Sequence, residues 1–362
     1  MKLGLINLSL VDGCNLSCRW CDRPDNFSFI ELNDLKSIVD KINTEVSFVP
    51  LIQVIGSGEA FLHKNIVKAI EIISGIDIPG ARVELWTNGT IEKNNAYEEL
   101  MKLNVLDGIC VSFDGYGDKE SLEYMRTGAK YEKIISNVAK LVELRNKFES
   151  KCQIGVSSIL PREGQIPFKH INTDEVKTKY WSIFPDVDNI MFRELHTYNG
   201  TFERSGLPIA VNGVIGPCEK AEAGQLVVDT KGGVHPCCND INHSLLVGNI
   251  LEDNISNIMF NNKHKRLIED LRNGESISVC SGCDVCKYPN ERAIVNKLSS
   301  KLIELTSIHY ELSRASAINY KVVNQMQIAI DEKQKFIDEL MTEKVLESKK
   351  TGLISQMIKR FR

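Results

Sequence analysis

The sequence predicts an α/β protein built on a partial (βα)6 parallel barrel, followed by a small cysteine-rich α+β extension and a long C-terminal helical segment. Up to about residue 200, short apolar runs alternate with helical patterns. Cysteines then concentrate between Cys218 and Cys286, beside hairpin-like segments. After Pro289 the chain has neither glycine nor proline up to residue 350. Six βα units with right-handed crossovers indicate a parallel sheet, and six strands, not eight, indicate an incomplete barrel.

The predicted elements alternate along the first half of the chain. The six predicted strands are Leu3–Leu10, Phe48–Ile55, Ala81–Trp86, Gly108–Phe113, Gln153–Leu160 and Asn189–Leu195. The helical patterns between them include Leu35–Ile42, Asn65–Ile73, Tyr97–Leu103 and Tyr131–Phe148. In parallel βα folds, functional groups gather beyond the carboxyl ends of the strands. The polar motifs that follow these strands are therefore expected to lie close together.

Three cysteines follow the first predicted strand at a spacing that suits a metal cluster. They are Cys14, Cys18 and Cys21, in the run CNLSCRWC. A [4Fe–4S] cluster held by three thiolates keeps one iron open to a ligand. The alternatives are a zinc site with a fourth ligand, or unrelated buried thiols. Zinc sites usually pair two CxxC-type knuckles, and no nearby His or Cys closes a tetrahedron here, so the spacing favours the cluster.

This CxxxCxxC loop, with Trp20 before its third cysteine, resembles that of the radical SAM superfamily. The resemblance implies a barrel of radical SAM type and a catalytic [4Fe–4S] cluster whose open iron binds S-adenosylmethionine. It also implies that an electron from a reductant, such as flavodoxin or ferredoxin, splits that molecule into methionine and a 5′-deoxyadenosyl radical.

A glycine-rich segment, GSGEA, follows the second predicted strand and resembles the family's GGEP segment. It contains Gly56, Ser57, Gly58 and Glu59, and it departs from the family pattern at Ser57 and Ala60. The resemblance implies that this segment receives the amino group of the methionine moiety. The alternative is an ordinary loop in which Glu59 caps the following helix.

Further polar residues follow the next strands. Thr87, Asn88, Ser112 and Asp114 occupy places where family members contact the ribose and carboxylate of S-adenosylmethionine. Arg126 stands where many relatives have a basic residue. The alternatives are a turn with an Asx hydrogen bond for Asp114 and a solvated surface charge for Arg126.

A second group of cysteines resembles the SPASM/twitch extension of the family, through the spacing of Cys218, Gly232 and Cys237. Six cysteines are present in this region, whereas a complete SPASM domain has seven and two clusters, and a twitch domain has four and one. The preferred interpretation is one auxiliary [4Fe–4S] cluster, with two as the alternative; zinc knuckles are also open. The preferred ligands are Cys218, Cys237, Cys280 and Cys283, with Cys286 able to replace a neighbour.

Three other thiols are candidates for returning a hydrogen atom to a substrate radical, as an epimerase requires. They are Cys110 and Cys152, on or beside predicted strands, and Cys238, which the preferred ligand set leaves spare. Strand cysteines are more often small buried hydrophobic residues.

Composition narrows the partners and the compartment. The chain has 362 residues with 44 basic and 48 acidic side chains, so its net charge of −4 does not favour nucleic acid. The N-terminal apolar run is too short for a signal peptide, and no apolar stretch is long enough to span a bilayer. Eleven cysteines in ligand-like groups fit a reducing compartment. The sequence therefore predicts a cytoplasmic protein.

The predicted domains are a core over residues 1–205, an auxiliary cluster domain over 206–290, a helical arm over 291–350 and a basic tail over 351–362. Heptad-like leucines in the arm predict a coiled coil that forms a homodimer, binds a partner or packs on the core.

The resemblance implies an enzyme that uses the adenosyl radical to abstract a hydrogen atom. We expect a small-molecule substrate, such as a sugar or aminocyclitol, that is oxidised (dehydrogenated) or epimerised. The alternatives are a peptide or protein maturase of the SPASM type and a non-catalytic iron–sulfur or zinc scaffold.

Overall fold

The computed structural model describes residues 1–283, apart from 22, 24–26, 93–94, 162–163, 165, 196–217, 242, 274–279 and 281–282. These residues lie in the first of the two units into which the chain divides, Met1–Arg292 and Ala293–Arg362. The predicted helical arm, the basic tail and Cys286 lie outside the described residues.

A sheet of nine strands forms the centre of the described part, beside a two-stranded hairpin. The strands are β1 Leu5–Leu8, β2 Val11–Asp12, β3 Ser28–Phe29, β4 Leu51–Val54, β5 Arg82–Thr87, β6 Gly108–Ser112, β7 Gln153–Leu160, β8 Asn189–Glu194, β9 Gln225–Val228, β10 Gly233–His235 and β11 Gly248–Asn249. The order in the large sheet is β11-β10-β9-β1-β4-β5-β6-β7-β8, and β2 pairs with β3. From β9 to β8 every neighbouring pair is parallel.

Helices connect the parallel strands, and two more follow the last strand, β11. They are α1 Leu32–Glu45, α2 Ile66–Ile73, α3 Ala96–Leu103, α4 Lys119–Met125, α5 Tyr131–Lys147, α6 Thr173–Ile183, α7 Glu219–Glu222, α8 Ile255–Met259 and α9 Asn262–Asn273, with a 3-10 turn at Ala60–Leu62. In the described part of the chain, every helix is too short or too polar to traverse a lipid bilayer.

Strand residues alternate between two faces with different chemistry. One row across β1, β4, β5, β6 and β7 is wholly apolar, and each member is at most 1% exposed: Leu8, Val54, Leu85, Ile109 and Ile154. This row faces the helices. The buried apolar residues of α1, which recur at helical spacing from Leu35 to Ile42, pack in the same hydrophobic core as the row. The other face carries polar side chains and lines the inside of the partial barrel.

The predicted α/β class with a parallel sheet is confirmed. All six predicted strands are present; β7 has the predicted bounds, and the others are shorter or shifted by a few residues. The first predicted strand divides into β1 and β2. Two helices of the core, α4 and α6, were not among the predicted patterns: α4 has only seven residues, and α6 buries only Val176 and Tyr180, too few for a clear apolar stripe.

The auxiliary region joins the core sheet, which the sequence does not predict. The hairpin β9–β10 was expected, but β9 also pairs in parallel with β1, from Leu5 opposite Gln225 to Leu8 opposite Val228. A strand pattern shows that a segment is extended, but it does not show which strand it pairs with. The predicted boundary at residue 205 therefore does not interrupt the sheet.

Candidate active site

The cysteine loop follows β2 at the carboxyl end of β1, and neighbouring backbone groups hold it. Ser17 N donates to Thr127 O at 2.9 Å, and Arg19 N donates to Met125 O at 3.0 Å. Arg23 Nη2 donates to two carbonyl oxygens of the loop, those of Cys14 and Leu16, at 3.2 and 2.7 Å. The loop is therefore fixed by contacts on both sides.

The three thiols of this loop are half-buried and interact with one another. Burial raises the pKa of Cys18 to about 12; Arg126 opposes this, and the nearby Cys21 and Cys14 add to it. Burial likewise raises the pKa of Cys21. Three thiolates this close repel one another, and a metal that binds all three removes that cost and displaces their protons. The donor set fits a thiolate-bound cluster.

Nitrogen donors point at one of these sulfurs. Cys14 Sγ accepts from Leu16 N at 3.4 Å and from Asn88 Nδ2 at 3.5 Å. Hydrogen bonds to sulfur are among the features that tune iron–sulfur clusters. Asn88 therefore connects the end of β5 to the cysteine loop.

Glu59 is buried beneath the loops, with 2% of its surface exposed. Its Oε1 accepts from Thr87 Oγ1 at 2.7 Å and from Phe61 N at 3.1 Å, and its Oε2 accepts from Asn88 N at 2.6 Å. Burial raises the pKa of Glu59, and these three hydrogen bonds oppose that rise. The carboxylate thus caps the 3-10 turn and also holds the end of β5.

The glycines of the GSGEA segment lie against the chain itself. A Cβ on Gly58 would stand 2.2 Å from Val11 O and 2.4 Å from Gly13 O, and a Cβ on Gly56 would stand 2.0 Å from Ser9 Oγ. Only glycine allows such an approach. The segment is therefore packed directly on the strand that leads into the cysteine loop.

Asp114 and Arg126 form a buried ion pair. They are 1% and 4% exposed, and Asp114 Oδ1 also accepts from Ile159 N at 2.9 Å. Arg126 thus steadies a carboxylate of this chain and is not a solvated surface charge. Within the described residues, its buried Nε makes no hydrogen bond. Ser112 ends β6, opposite Ser157.

The interior face of the partial barrel carries polar residues that the sequence analysis did not single out. Arg193 Cζ lies 4.8 Å from the centre of the Trp86 ring, and Arg193 Nη2 donates to Ser157 Oγ at 2.9 Å. On this face, the buried atoms Trp86 Nε1 and Asn7 Oδ1 make no hydrogen bond within the described residues. The strict alternation of each strand could have identified these side chains as inward-facing.

The three candidate hydrogen-atom donors lie in different places. Cys110 lies on β6 opposite Trp86, on the interior face. Cys152 precedes β7 at the amino end of the sheet, whereas the cysteine loop follows β2 at the carboxyl end of β1. This end of a parallel sheet is opposite to the strand ends at which the other candidate site residues gather. Cys238 lies in the auxiliary region.

The auxiliary cysteines form a second group. Burial raises the pKa of Cys237; Cys238 and Cys218 add to the rise and Lys220 opposes it. Lys220 Nζ donates to Cys238 Sγ at 3.4 Å. Cys218 and Cys280 pack in one small cluster, and Cys283 N donates to Cys280 O at 3.0 Å. Cys238, predicted as a spare thiol, therefore stands among the candidate ligands.

One group of cysteines lies beyond the strand ends of a parallel α/β sheet, and a second group lies in an appended hairpin region. This arrangement defines the class of proteins with two iron–sulfur sites. Family models agree: the Radical SAM superfamily model matches residues 8–155, and the SPASM model, an iron–sulfur cluster-binding domain, matches residues 218–284. The chain therefore contains a Radical SAM domain and a SPASM-type iron–sulfur domain. Its cofactors are a [4Fe–4S] cluster, S-adenosylmethionine and auxiliary iron–sulfur.

Two curated relatives match part of the chain. The 7-carboxy-7-deazaguanine synthase of Aquifex aeolicus (strain VF5) is 34% identical over 85 residues, which cover 22% of this chain and 35% of that protein. The FeMo cofactor biosynthesis protein NifB of Methanocaldococcus jannaschii is 25% identical over 115 residues, which cover 29% of this chain and 38% of that protein. The chain thus spans little more than a third of the length of either relative.

Among solved structures, BtrN in complex with AdoMet and 2-DOIA superposes with a TM-score of 0.50 at 18% identity, covering 78% of this chain and 93% of that chain. At this identity the match supports the fold alone. Enzymes of this superfamily act on small-molecule or peptide substrates with the help of a reductant.

Proposed function

We propose that this enzyme oxidises or epimerises a small polar molecule, such as a sugar or aminocyclitol, inside the partial barrel. One observation carries the proposal: the interior face presents Arg193 and Ser157, together with a buried indole N–H of Trp86 that has no hydrogen-bond partner within the described residues. A buried donor without a partner costs about 1–3 kcal/mol, which a hydroxyl or amine of a substrate would offset. Polyhydroxylated molecules supply such groups.

In this proposal Cys14, Cys18 and Cys21 hold the cluster, and Thr87, Asn88, Ser112 and the 56–59 segment surround the S-adenosylmethionine site. When bound, the cluster and S-adenosylmethionine supply a 5′-deoxyadenosyl radical that removes a hydrogen atom from substrate carbon. The chain's task is to orient that carbon and exclude water. Glu59 and the pair Asp114–Arg126 hold the loops in place for this.

Arg193 lies on β8, and its Nη2 donates to Ser157 on the neighbouring strand β7. Its guanidinium carbon lies 4.8 Å from the centre of the Trp86 ring, and in this proposal the N–H groups that do not contact Ser157 bind substrate oxygens. The same stacked pair forms a wall against which a sugar ring can lie. Together these residues select for size and for hydroxyl groups.

In this proposal Cys110 is the group on which the choice between epimerisation and oxidation depends. Burial raises the pKa of Cys110 to about 12, with Arg193 opposing and Glu84 adding, so the thiol keeps its proton near neutral pH. Epimerisation needs such an S–H to return one hydrogen atom to the opposite face of the carbon radical. The resulting thiyl group then takes one electron from the reductant and one proton from water. Oxidation instead would pass a second electron from the substrate radical to the auxiliary iron–sulfur cluster of the SPASM-type domain and a proton to water.

The test measures 5′-deoxyadenosine after anaerobic cluster reconstitution with dithionite and S-adenosylmethionine. A panel of sugars and aminocyclitols is compared with short peptides. We expect a small molecule to stimulate release, and a substrate deuterated at the reacting carbon to transfer deuterium into 5′-deoxyadenosine. Stimulation by peptides alone would overturn the proposal.

The same reaction in D2O separates the two outcomes. An epimerised product carries one deuterium at the inverted carbon, and its formation stops in Cys110→Ala but not in the matched control Cys152→Ala, because Cys152 lies at the opposite end of the sheet. An oxidised product forms in both variants and carries no new deuterium.

A further inference from the structure

Ser57, in the GSGEA segment, is held by two groups of the auxiliary region. Its side chain is buried, its Oγ donates to Ile241 O at 2.9 Å, and the same Oγ lies 3.0 Å from His243 Nε2. A serine hydroxyl has a single hydrogen to donate, and Ser57 donates it to the carbonyl oxygen of Ile241. The hydrogen in the second contact must therefore come from His243, so Nε2 carries a hydrogen and donates.

The loop that carries His243 is shaped to present this ring. The backbone φ of His243 is 61°, in the left-handed region that residues other than glycine rarely adopt. Asp240 holds the loop by accepting from Ser244 N at 2.9 Å and from Leu245 N at 2.7 Å. The His243 ring stacks on that of His235, with centroids 4.6 Å apart. A strained conformation persists only where the surroundings fix it.

The same cluster has the composition of a metal site, but its geometry favours hydrogen bonding. Donor atoms of Asp229, His235 and His243 lie within 4.8 Å of one another. However, the two imidazole rings are nearly parallel, at 28°, so one ion could not lie in the planes of both. His235 Nε2 also lies 3.0 Å from Asp229 Oδ2, and His243 Nε2 already contacts Ser57. The histidines thus support each other and the serine.

The contact falls at a position where this chain departs from the family's GGEP pattern. A glycine at residue 57 could make neither hydrogen bond. The next residue, Gly58, is packed on the carbonyl groups of Val11 and Gly13, and Glu59 N donates to Gly13 O at 3.0 Å. A displacement of Ser57 would therefore move the backbone that leads into Cys14.

We infer that Ser57 and His243 form a latch through which the auxiliary region fixes the S-adenosylmethionine segment in its binding conformation. Both are positioning residues, and the inference rests on the proposed role of residues 56–59. The latch makes the binding of S-adenosylmethionine depend on a side chain from the auxiliary domain, nearly 190 residues further along the chain. Its loss loosens the segment without removing a cluster ligand.

The experiment is a double-mutant cycle read out by S-adenosylmethionine affinity, not by turnover. Anaerobically reconstituted wild-type protein, Ser57→Ala, His243→Ala and the double variant are compared by equilibrium dialysis with labelled S-adenosylmethionine. We expect His243→Ala to bind S-adenosylmethionine about tenfold more weakly, the size expected for one hydrogen bond in a buried site. Ser57→Ala should bind at least as weakly, because it also loses the hydrogen bond to Ile241 O. The double variant should bind no more weakly than Ser57→Ala, because that variant already lacks the Ser57–His243 interaction.

His264→Gln is the matched control, since His264 also lies in the auxiliary region but its Nδ1 contacts Met259 O and not the core. Its affinity should equal that of the wild type, and all variants should retain the wild-type iron content. Wild-type affinity in both single variants would overturn the latch, as would losses that multiply in the double variant. If S-adenosylmethionine bound more tightly in the presence of zinc, and His243→Ala lost this effect, a metal ion and not a hydrogen bond would connect the two regions. That result would also overturn the latch.

These outcomes are distinct from a failure of the proposed function. If wild-type protein with loaded clusters does not bind S-adenosylmethionine at all, the proposed role of the segment fails together with the latch. If it binds but no small molecule stimulates 5′-deoxyadenosine release, the substrate proposal fails and the latch stands on its binding data.

Discussion

The two groups of cysteines in this chain, one in the cysteine loop and one in the auxiliary region, are assembled in different ways. Cys14, Cys18 and Cys21 lie within eight consecutive residues, on one loop whose backbone is held by its neighbours. The auxiliary thiols come from segments spread between Cys218 and Cys283. A site on a single loop is formed by local geometry, whereas a site assembled from distant segments depends on the fold and on the cluster that holds them.

The strongest way to test this comparison is to remove one ligand from each group. Cys18→Ala should abolish 5′-deoxyadenosine release and lower the iron content by about four atoms, because the catalytic cluster needs all three thiolates. Cys237→Ala should lose a similar amount of iron but retain the electron paramagnetic resonance signal of the catalytic cluster. If Cys237→Ala also eliminated that signal, the two sites would not be separate.

The second test compares two ion pairs, a buried one near the cysteine loop and an exposed one in the auxiliary region. Arg126→Leu leaves Asp114 as a buried, unpaired carboxylate, so the free energy of unfolding should fall by about 3–5 kcal/mol. The control is Arg272→Leu, which removes the 2.9 Å pair with Glu222; the Arg272 side chain is 58% exposed, and such pairs contribute about 1 kcal/mol or less. Anaerobic urea unfolding followed by circular dichroism measures both. Equal losses would contradict the contrast.

The smallest expected effect is electrostatic and belongs to the auxiliary group. Lys220 places a positive charge against Cys238, and this charge stabilises the reduced form of a nearby cluster. Lys220→Gln should therefore lower the midpoint potential of the auxiliary cluster, by about 60 mV for a one-electron change of 1.4 kcal/mol. Lys231→Gln, on an exposed turn, is the control. Redox titration followed by electron paramagnetic resonance measures the potential, and no difference between the variants would contradict this role.

What the sequence could predict follows the same division. The bounds of β7 and the position of the cysteine loop depend on contiguous residues, and both are visible in the local pattern. The pairing of β9 with β1 depends on residues more than 200 positions apart, and no local pattern encodes it. Local patterns therefore predicted the elements but not how the auxiliary region attaches.

Individual site residues show the same limit. Spacing and resemblance placed Glu59 and Asp114 near the cofactors, but only the structure shows that their carboxylates are occupied by Asn88, Thr87 and Arg126. Cys152 was one candidate donor because it adjoins a strand, and only the structure shows that it lies at the amino end of that strand, away from the end at which the cysteine loop lies. Arg193 was missed because a single charged residue in a strand carries no motif.

The pairing of β9 with β1 also bears on how the enzyme can be divided. Along β1 the backbone groups from Leu5 to Leu8 are shared between β4 on one side and β9 on the other. A core cut after residue 205 would expose the apolar β1 as a bare edge strand, which is a template for aggregation. Strand β9 of the auxiliary hairpin thus protects the edge of β1. We therefore expect the two domains to be stable only when they are produced as one chain.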